Sequence, residues 1–196
     1  MKNYYSAAGF AALAMLLSGC GIKGGWMGAA AEKDYDKELE IKRLAEVLNN
    51  EDYYEFEREG RIYVLSDSKD YNTYLKTNEV VLSTKKIGGG PDGKTIVYGL
   101  IKNEAKMMEK DPKSQGAAQK MYEGKLRGLD KDFFGVVVRN DTYYVFSSWK
   151  DLESFKTAGA AMGFRETDPA GHAVIYVGAP AKPEALSTRF AKAHAP

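Results

Sequence analysis

The chain has 196 residues, with 28 Lys and Arg against 27 Asp and Glu, so that its formal net charge is +1. This balance argues against a nucleic-acid partner, which needs a concentrated basic surface. One cysteine excludes an internal disulfide, and one cysteine with two histidines nearly excludes a zinc site of the Cys/His type, so we expect no metal or other cofactor.

Residues 1–19 have the pattern of a secretory signal. Lys2 and the terminal amine form a short positive region, and an apolar run of about 12 residues from Ser6 to Leu17 follows. This run is shorter than the ~20 apolar residues that span a bilayer. The only cysteine comes directly behind it, in the sequence Leu17-Ser18-Gly19-Cys20.

This ending resembles the lipobox of bacterial lipoproteins. The resemblance implies cleavage before Cys20 and a diacylglycerol on its sulfur. Such acylation makes a lipid bilayer the first expected partner, because two or more acyl chains hold a protein stably at a membrane. Gly21 follows the cysteine instead of the Asp that favours the inner membrane, so we expect the outer membrane if the host has two. The alternative is an ordinary secretory signal with a chance cysteine.

The remaining chain divides into a tether and one domain. Residues 20–33 comprise the lipidated cysteine and a flexible segment rich in Gly and Ala. Residues 34–196 are expected to form a single α+β domain. Its first element is a predicted helix over 34–49.

Two segments of this domain are similar to each other. The sequence "EREGRIYVLSDSKDYNTY" from Glu57 aligns without gaps with "VRNDTYYVFSSWKDLESF" from Val138. Further on, "PDGKTIVY" from Pro91 matches "PAGHAVIY" from Pro169, and the offset changes only from 81 to 78. Ordered agreement in two blocks indicates a duplicated structural unit.

Each unit is predicted to be a hairpin, a helix and a second hairpin (ββαββ). The strands are expected at 54–58, 61–66, 80–87 and 95–101 in the first unit, and at 133–138, 142–147, 162–166 and 173–177 in the second. The helix of each unit begins behind an N-cap, which is Asp67 or Ser148. The first helix has Tyr71, Tyr74 and Leu75 as its apolar stripe.

Flanking helices complete the predicted fold class. Asp111-Pro112 has the form of an N-cap and first helical residue, which predicts a helix to about Leu126. Another helix is expected from Pro183 to about Ala193. One unit alone has little core. We therefore expect two tandem ββαββ repeats, about 54–101 and 133–178, packed together with these helices in one α+β domain.

The hairpin-helix segments "GRIYVLSDSKDYNTYL" and "DTYYVFSSWKDLESFK" resemble the corresponding part of YHS domains. Metal-associated members of that family carry cysteines at the strand–helix junction. The matching positions here hold Leu65 and Phe146, so a metal function does not follow from the resemblance.

Several residues recur at matched positions of the two units. They are either sheet residues that maintain the fold or a paired surface that stacks on sugars or on a protein partner in a cleft between the repeats. The candidate ligand-binding residues are Tyr63, Tyr144, Tyr98, Tyr176, Arg58 and Arg139. His172 lies in a predicted turn and is expected to face solvent, and His194 is expected in a frayed tail.

The shortage of catalytic groups favours a non-enzymatic function. We expect a membrane-anchored envelope lipoprotein that binds or scaffolds an envelope protein or a glycan. Two alternatives remain open. One is a glycan-binding or small-ligand-binding lipoprotein, and the other is an envelope hydrolase that works through a pair of carboxylates.

Overall fold

A computed structural model describes residues 49–129 and 131–194. The predicted signal, Cys20, the tether and the predicted helix as far as residue 48 lie outside the described residues. Within them the fold is mixed α+β, with one eight-stranded mixed sheet and five α-helices. None of these described helices is long and apolar enough to cross a membrane.

The elements follow one another in an alternating order. The strands are β1 (Asp52–Arg58), β2 (Arg61–Leu65), β3 (Ser83–Lys86), β4 (Thr95–Gly99), β5 (Phe134–Arg139), β6 (Thr142–Phe146), β7 (Gly163–Thr167) and β8 (Ala173–Val177). The helices are α1 (Ser68–Thr77), α2 (Lys102–Lys110), α3 (Ala117–Tyr122), α4 (Trp149–Ala158) and α5 (Glu184–Ala193). All eight predicted strands are therefore present, together with the helices predicted after Asp67, Ser148 and Pro183.

All eight strands belong to the same sheet, in the order β3-β4-β2-β1-β5-β6-β8-β7. Four antiparallel pairs form it: β1 with β2, β3 with β4, β5 with β6, and β7 with β8. Three parallel pairs connect these: β2 with β4, β6 with β8, and β1 with β5 at the centre. The edge strands β3 and β7 are only four and five residues long.

The turns β1–β2 and β5–β6 explain why the predicted hairpins form. Each has two residues with positive φ: Glu59 and Gly60 at 53° and 71°, and Asn140 and Asp141 at 50° and 55°. Positive φ at both central positions is typical of the two-residue hairpin turn whose twist matches the strands. Gly, Asn and Asp adopt this conformation at the lowest cost.

Both predicted N-caps are confirmed. The side chain of Asp67 accepts hydrogen bonds from the N–H groups of Lys69 and Asp70, at 2.8 and 3.1 Å. Ser148 accepts one from the N–H of Asp151 at 3.5 Å. These contacts satisfy backbone donors that have no partner within the first helical turn.

Helices cover both faces of the sheet, and the side chains of each strand alternate between these two faces. Tyr53 and its neighbour Tyr54 accordingly belong to different clusters. The first core joins the sheet to α3 and α4 and includes Tyr53, Val64, Tyr98, Met121, Trp149, Leu152 and Phe155. The second core joins it to α1 and α5 and includes Tyr54, Phe56, Leu65, Tyr71, Tyr74, Tyr176 and Phe190.

The predicted helix from Asp111 to Leu126 is wrong in its bounds, because only the short helix α3 lies in this range, and α2, which was not predicted, ends before it at Lys110. Glu104 of α2 is buried, and its carboxylate accepts the N–H of Ile101 at 3.1 Å and the N–H of Ala117 at 2.7 Å. A long-range acceptor therefore caps the start of α3, and Asp111-Pro112 lies in the link between the helices. Local sequence around Asp111 carries no sign of this contact.

Candidate functional site

Both histidines of the sequence line one cavity of about 630 Å³, which we call the histidine cleft. Its wall combines the second half of α1, β6, the β7–β8 turn and the end of α5. The lining residues are Asn72, Leu75, Lys76, Tyr143, Asp168, Ala170, His172, Lys192, Ala193 and His194. Four segments that are distant in sequence thus meet at one site.

His194 is fixed as a neutral imidazole. Its Nδ1 lies 2.9 Å from the carbonyl oxygen of Phe190, and because a carbonyl only accepts, Nδ1 carries the proton. Nε2 then accepts from the hydroxyl of Tyr71 at 2.8 Å. Burial lowers the pKa of His194. The expectation of a frayed tail at His194 is therefore wrong, because these contacts and its stacking on Phe190 hold the end of α5 in place.

His172 forms a pair with Asp168. The backbone N–H of His172 donates to Oδ1 of Asp168 at 2.7 Å, and its Nδ1 lies 3.0 Å from Oδ2. Burial acts to raise the pKa of Asp168, but the hydrogen bonds from His172 outweigh it and the pKa is lowered. The ionised carboxylate keeps a proton on Nδ1, which leaves Nε2 of the half-exposed ring for a ligand.

Tyr143 connects the two histidines. Its ring centroid lies 5.6 Å from that of His172 and 5.0 Å from that of His194, in edge-on contacts. Burial raises the pKa of Tyr143, so the phenol keeps its proton. Tyr143 therefore contributes an apolar ring and a polar hydroxyl to the wall of the histidine cleft.

The charges around the histidine cleft favour an anion. Lys76 and Lys192 stand in the last turns of α1 and α5, and both line the cavity. Asp168 is the only acidic side chain among the described lining residues, and His172 already binds it. The same described lining has no Ser, Thr or Cys that could act as a nucleophile. The excess of basic over acidic side chains therefore suits the cleft to binding an anion.

A neighbouring cavity of about 630 Å³ shares three lining residues with the histidine cleft: Asp168, Ala170 and His194. At its far side Glu166 accepts hydrogen bonds from the hydroxyl of Tyr176 at 2.6 Å and from that of Ser187 at 3.2 Å. Lys182 Nζ lies 2.9 Å from the other oxygen of the same carboxylate. The hydroxyl of Tyr176 is the main reason that the pKa of Glu166 is lowered.

Glu166 and Asp168 are the two carboxylates among the described residues that line the neighbouring cavity. A hydrolase that uses two carboxylates needs one with a raised pKa to donate a proton to the leaving group. The pKa values of both groups are lowered. This pair therefore lacks the general acid that the hydrolase alternative requires.

The predicted residues Arg58 and Arg139 meet in a third cavity, of about 760 Å³, next to the turns β1–β2 and β5–β6. Arg139 lies 3.7 Å from the carboxylate of Glu55, which also pairs with Lys156 at 3.1 Å. Arg58 donates to the side-chain oxygen of Asn78. Both guanidinium groups therefore have partners within the protein, and this cavity has a mixed charge.

The four predicted tyrosines do not form one surface. Tyr98 and Tyr144 pack with the first core, whereas Tyr63 and Tyr176 pack with the second core on the other face of the sheet. Tyr98 and Tyr176 are also only 1% and 0% exposed. The matched tyrosines therefore face different helices and do not form the single paired surface that the sequence suggested.

Sequence reasoning missed the residues that build the histidine cleft, above all Tyr71, Tyr143 and Lys192. One local signal was present, because Phe190 and His194 are four residues apart and so share one side of α5. Their partners lie on α1 and β6, and nothing in the local pattern indicates those contacts.

Among the residues that the structure describes, no group of three or more His, Cys, Asp and Glu is arranged to hold a metal ion. No family model, no curated protein and no solved structure matches this chain. The likeness to YHS domains therefore stays a prediction.

Proposed function

We propose that this protein is a lipid-anchored bacterial envelope protein whose folded domain binds a small anionic ligand without catalysing a reaction. The histidine cleft is the observation that carries the proposal. It is large enough for a small molecule, and its polar groups come from four separate elements.

The histidine cleft suits an anion because its lining carries positive charges and hydrogen-bond donors. Lys76 and Lys192 supply charge from two helices that border the cavity. Nε2 of His172 is not used by Asp168, and it becomes a further donor when the ring is protonated.

The binding test uses residues 21–196 and a panel of inorganic phosphate, glycerol 3-phosphate and succinate. The two histidines give two imidazole signals in the proton NMR spectrum, which report on the cleft directly. We expect at least one anion to shift the His172 signal saturably. Loss of a charge-assisted hydrogen bond weakens binding about tenfold or more. The double variant Lys76→Ala/Lys192→Ala should show that loss.

A matched control for this experiment is Lys150→Ala, which removes an exposed ammonium from α4 on the other face of the sheet. It should bind as the unmodified protein does. If no anion moves either imidazole signal, or if the double variant binds as tightly as the control, the proposed function is wrong.

The envelope location is proposed from the Leu17-Ser18-Gly19-Cys20 ending and the apolar run before it. Metabolic labelling with a palmitate analogue tests it in cells that express the full chain. The unmodified protein should be labelled and recovered with membranes, in the outer membrane if the host has two. Cys20→Ser should lose label and accumulate unprocessed. A Cys20→Ser protein that is still labelled would exclude the anchor.

We also propose that the domain arose from two tandem ββαββ units, 54–101 and 133–178. The strand pairings support it: β1–β2, β2–β4 and β3–β4 have the same directions as β5–β6, β6–β8 and β7–β8. Residues 34–110 expressed alone should lack a sharp unfolding transition, because one unit has a small core. A cooperative transition in this fragment would instead indicate two autonomous domains.

A further inference from the structure

A separate cavity of about 400 Å³ lies at the β3 edge of the sheet, beside the link between α2 and α3. It shares no lining residue with the histidine cleft. Its lining includes Thr84, Lys86, Tyr98, Lys113 and Gln119. None of them belongs to the site proposed above.

Two buried hydroxyl groups in the wall of this cavity have no hydrogen-bond partner among the described residues. They are the phenol of Tyr98, whose side chain is 1% exposed, and Oγ1 of Thr84. The two residues are directly opposite each other on β4 and β3. Leaving one buried hydroxyl unpaired costs about 1–3 kcal/mol, so two neighbouring ones indicate a missing partner.

The matching tyrosine at the other end of the sheet has a carboxylate as the hydrogen-bond partner of its hydroxyl. Tyr176 holds the position in β8 that Tyr98 holds in β4, and its hydroxyl donates to the carboxylate of Glu166 at 2.6 Å. Glu166 pairs with the residue two places before Tyr176, as Lys86 pairs with the residue two places before Tyr98. A lysine therefore stands where the other end of the sheet has a carboxylate.

The carboxylate of Glu123 is close to this region but is already used. It accepts hydrogen bonds from Lys86 at 3.2 Å, from Lys125 at 2.6 Å, and from the side-chain amides of Gln115 and Gln119 at 3.1 Å each. The ammonium of Lys125 is the main reason that the pKa of Glu123 is lowered to about 2. The carboxylate of Glu123 therefore stays ionised, and the ammonium groups of Lys86 and Lys125 balance its charge.

The remaining charges and hydroxyls of the cavity all suit an acceptor. Burial raises the pKa of Tyr98 to about 12, so its phenol keeps a proton to donate. Among the described lining residues, Lys85, Lys86 and Lys113 are basic and none is acidic. An uncharged partner such as water would satisfy the hydroxyls but would not use the exposed ammonium of Lys113, whereas that of Lys86 already pairs with Glu123.

We propose that this cavity binds the carboxylate group of a small molecule, whose oxygens accept hydrogen bonds from Tyr98 and Thr84 while Lys113 at the rim supplies a counter-charge. The bound carboxylate takes the place that Glu166 occupies beside Tyr176. This site is independent of the histidine cleft and does not rest on the function proposed for it.

The test titrates residues 21–196 with acetate and with succinate, and follows ring signals of selectively labelled tyrosine by NMR. We expect a saturable shift at Tyr98. Tyr98→Phe and Thr84→Val should each weaken carboxylate binding about tenfold or more, which is the effect of removing a hydrogen bond to a charged group. Circular dichroism of each variant establishes whether it is folded. If Tyr98→Phe does not fold, Thr84→Val still tests the proposal.

The matched control is Tyr144→Phe, which removes a hydroxyl from β6, a strand separated from β4 by three others in the sheet. It should bind acetate and succinate unchanged. Inorganic phosphate at the same ionic strength separates recognition of a carboxylate from general attraction of anions. Absence of a saturable shift at Tyr98 would mean that water satisfies the hydroxyls. If Tyr98→Phe and Thr84→Val both bind the carboxylate as tightly as the unmodified protein, the carboxylate binds elsewhere. Either result overturns the proposal.

Discussion

Replacing His194 by Phe measures how firmly the end of α5 is held. The change keeps an aromatic ring against Tyr143 and Phe190 but removes the acceptor for the hydroxyl of Tyr71. Tyr71 is only 2% exposed, so its hydroxyl would be left unpaired at a cost of about 1–3 kcal/mol. We expect urea unfolding, followed by fluorescence, to show a loss of this size in the free energy of unfolding.

The double variant Tyr71→Phe/His194→Phe is the matched control, because it removes donor and acceptor together. It should be more stable than His194→Phe alone, since no buried hydroxyl remains without a partner. Burial lowers the pKa of His194 below its ordinary value of 6.5, so the unfolded chain binds the additional proton. This contribution to stability is complete above about pH 6.5 and is lost as pH falls through the lowered pKa.

His194→Phe should accordingly flatten the loss of stability that sets in as pH falls below about 6.5. If the variant unfolds within about 0.3 kcal/mol of the unmodified protein and keeps the same pH dependence, the contacts of His194 contribute nothing. The expectation of a frayed tail would then be correct after all.

Three further changes test other parts of the fold. Glu104→Ala removes the acceptor for the N–H groups of Ile101 and Ala117 and should cost about 2–4 kcal/mol in urea unfolding, whereas Glu104→Gln, which keeps one acceptor, should cost less. Gly163→Ala would place a Cβ 2.0 Å from the carbonyl oxygen of Tyr176, so hydrogen exchange should show loss of protection in β7 but not in β1. The lowered pKa of Glu123, about 2 against an ordinary 4.5, gives a contribution to stability that is complete above about pH 4.5 and is lost as pH falls towards 2. Glu123→Gln should remove that part of the acid dependence, and an unchanged acid unfolding curve would contradict it.

Much of the fold could be predicted because its signals are local. Asp67 and Ser148 cap helices through bonds to residues two and three places away, and the β1–β2 and β5–β6 turns carry residues that accept positive φ. Alternation of apolar and polar residues placed all eight strands within three residues of their bounds. Such features depend on a few adjacent residues, so the sequence alone displays them.

The errors have a common cause in long-range contacts. Asp111-Pro112 has a good local helix start, but the carboxylate of Glu104 caps α3 from another helix. Leu75, predicted to belong to the apolar stripe of the first helix, is 41% exposed and lines the histidine cleft. The cleft itself joins residues as far apart as Asn72 and His194, and no local period or motif connects them.

The parallel pairing of β1 with β5 has a consequence for the folding rate. Tyr53 pairs with Gly135, whereas β1 and β2 are joined by a turn of two residues. Contacts between distant residues form late, because the loop between them must first be ordered. Until they form, β1 and β5 each present an unpaired edge to other copies of the chain. Refolding yield should therefore fall as protein concentration rises, with strand-exchanged dimers joined through these edges as the competing product.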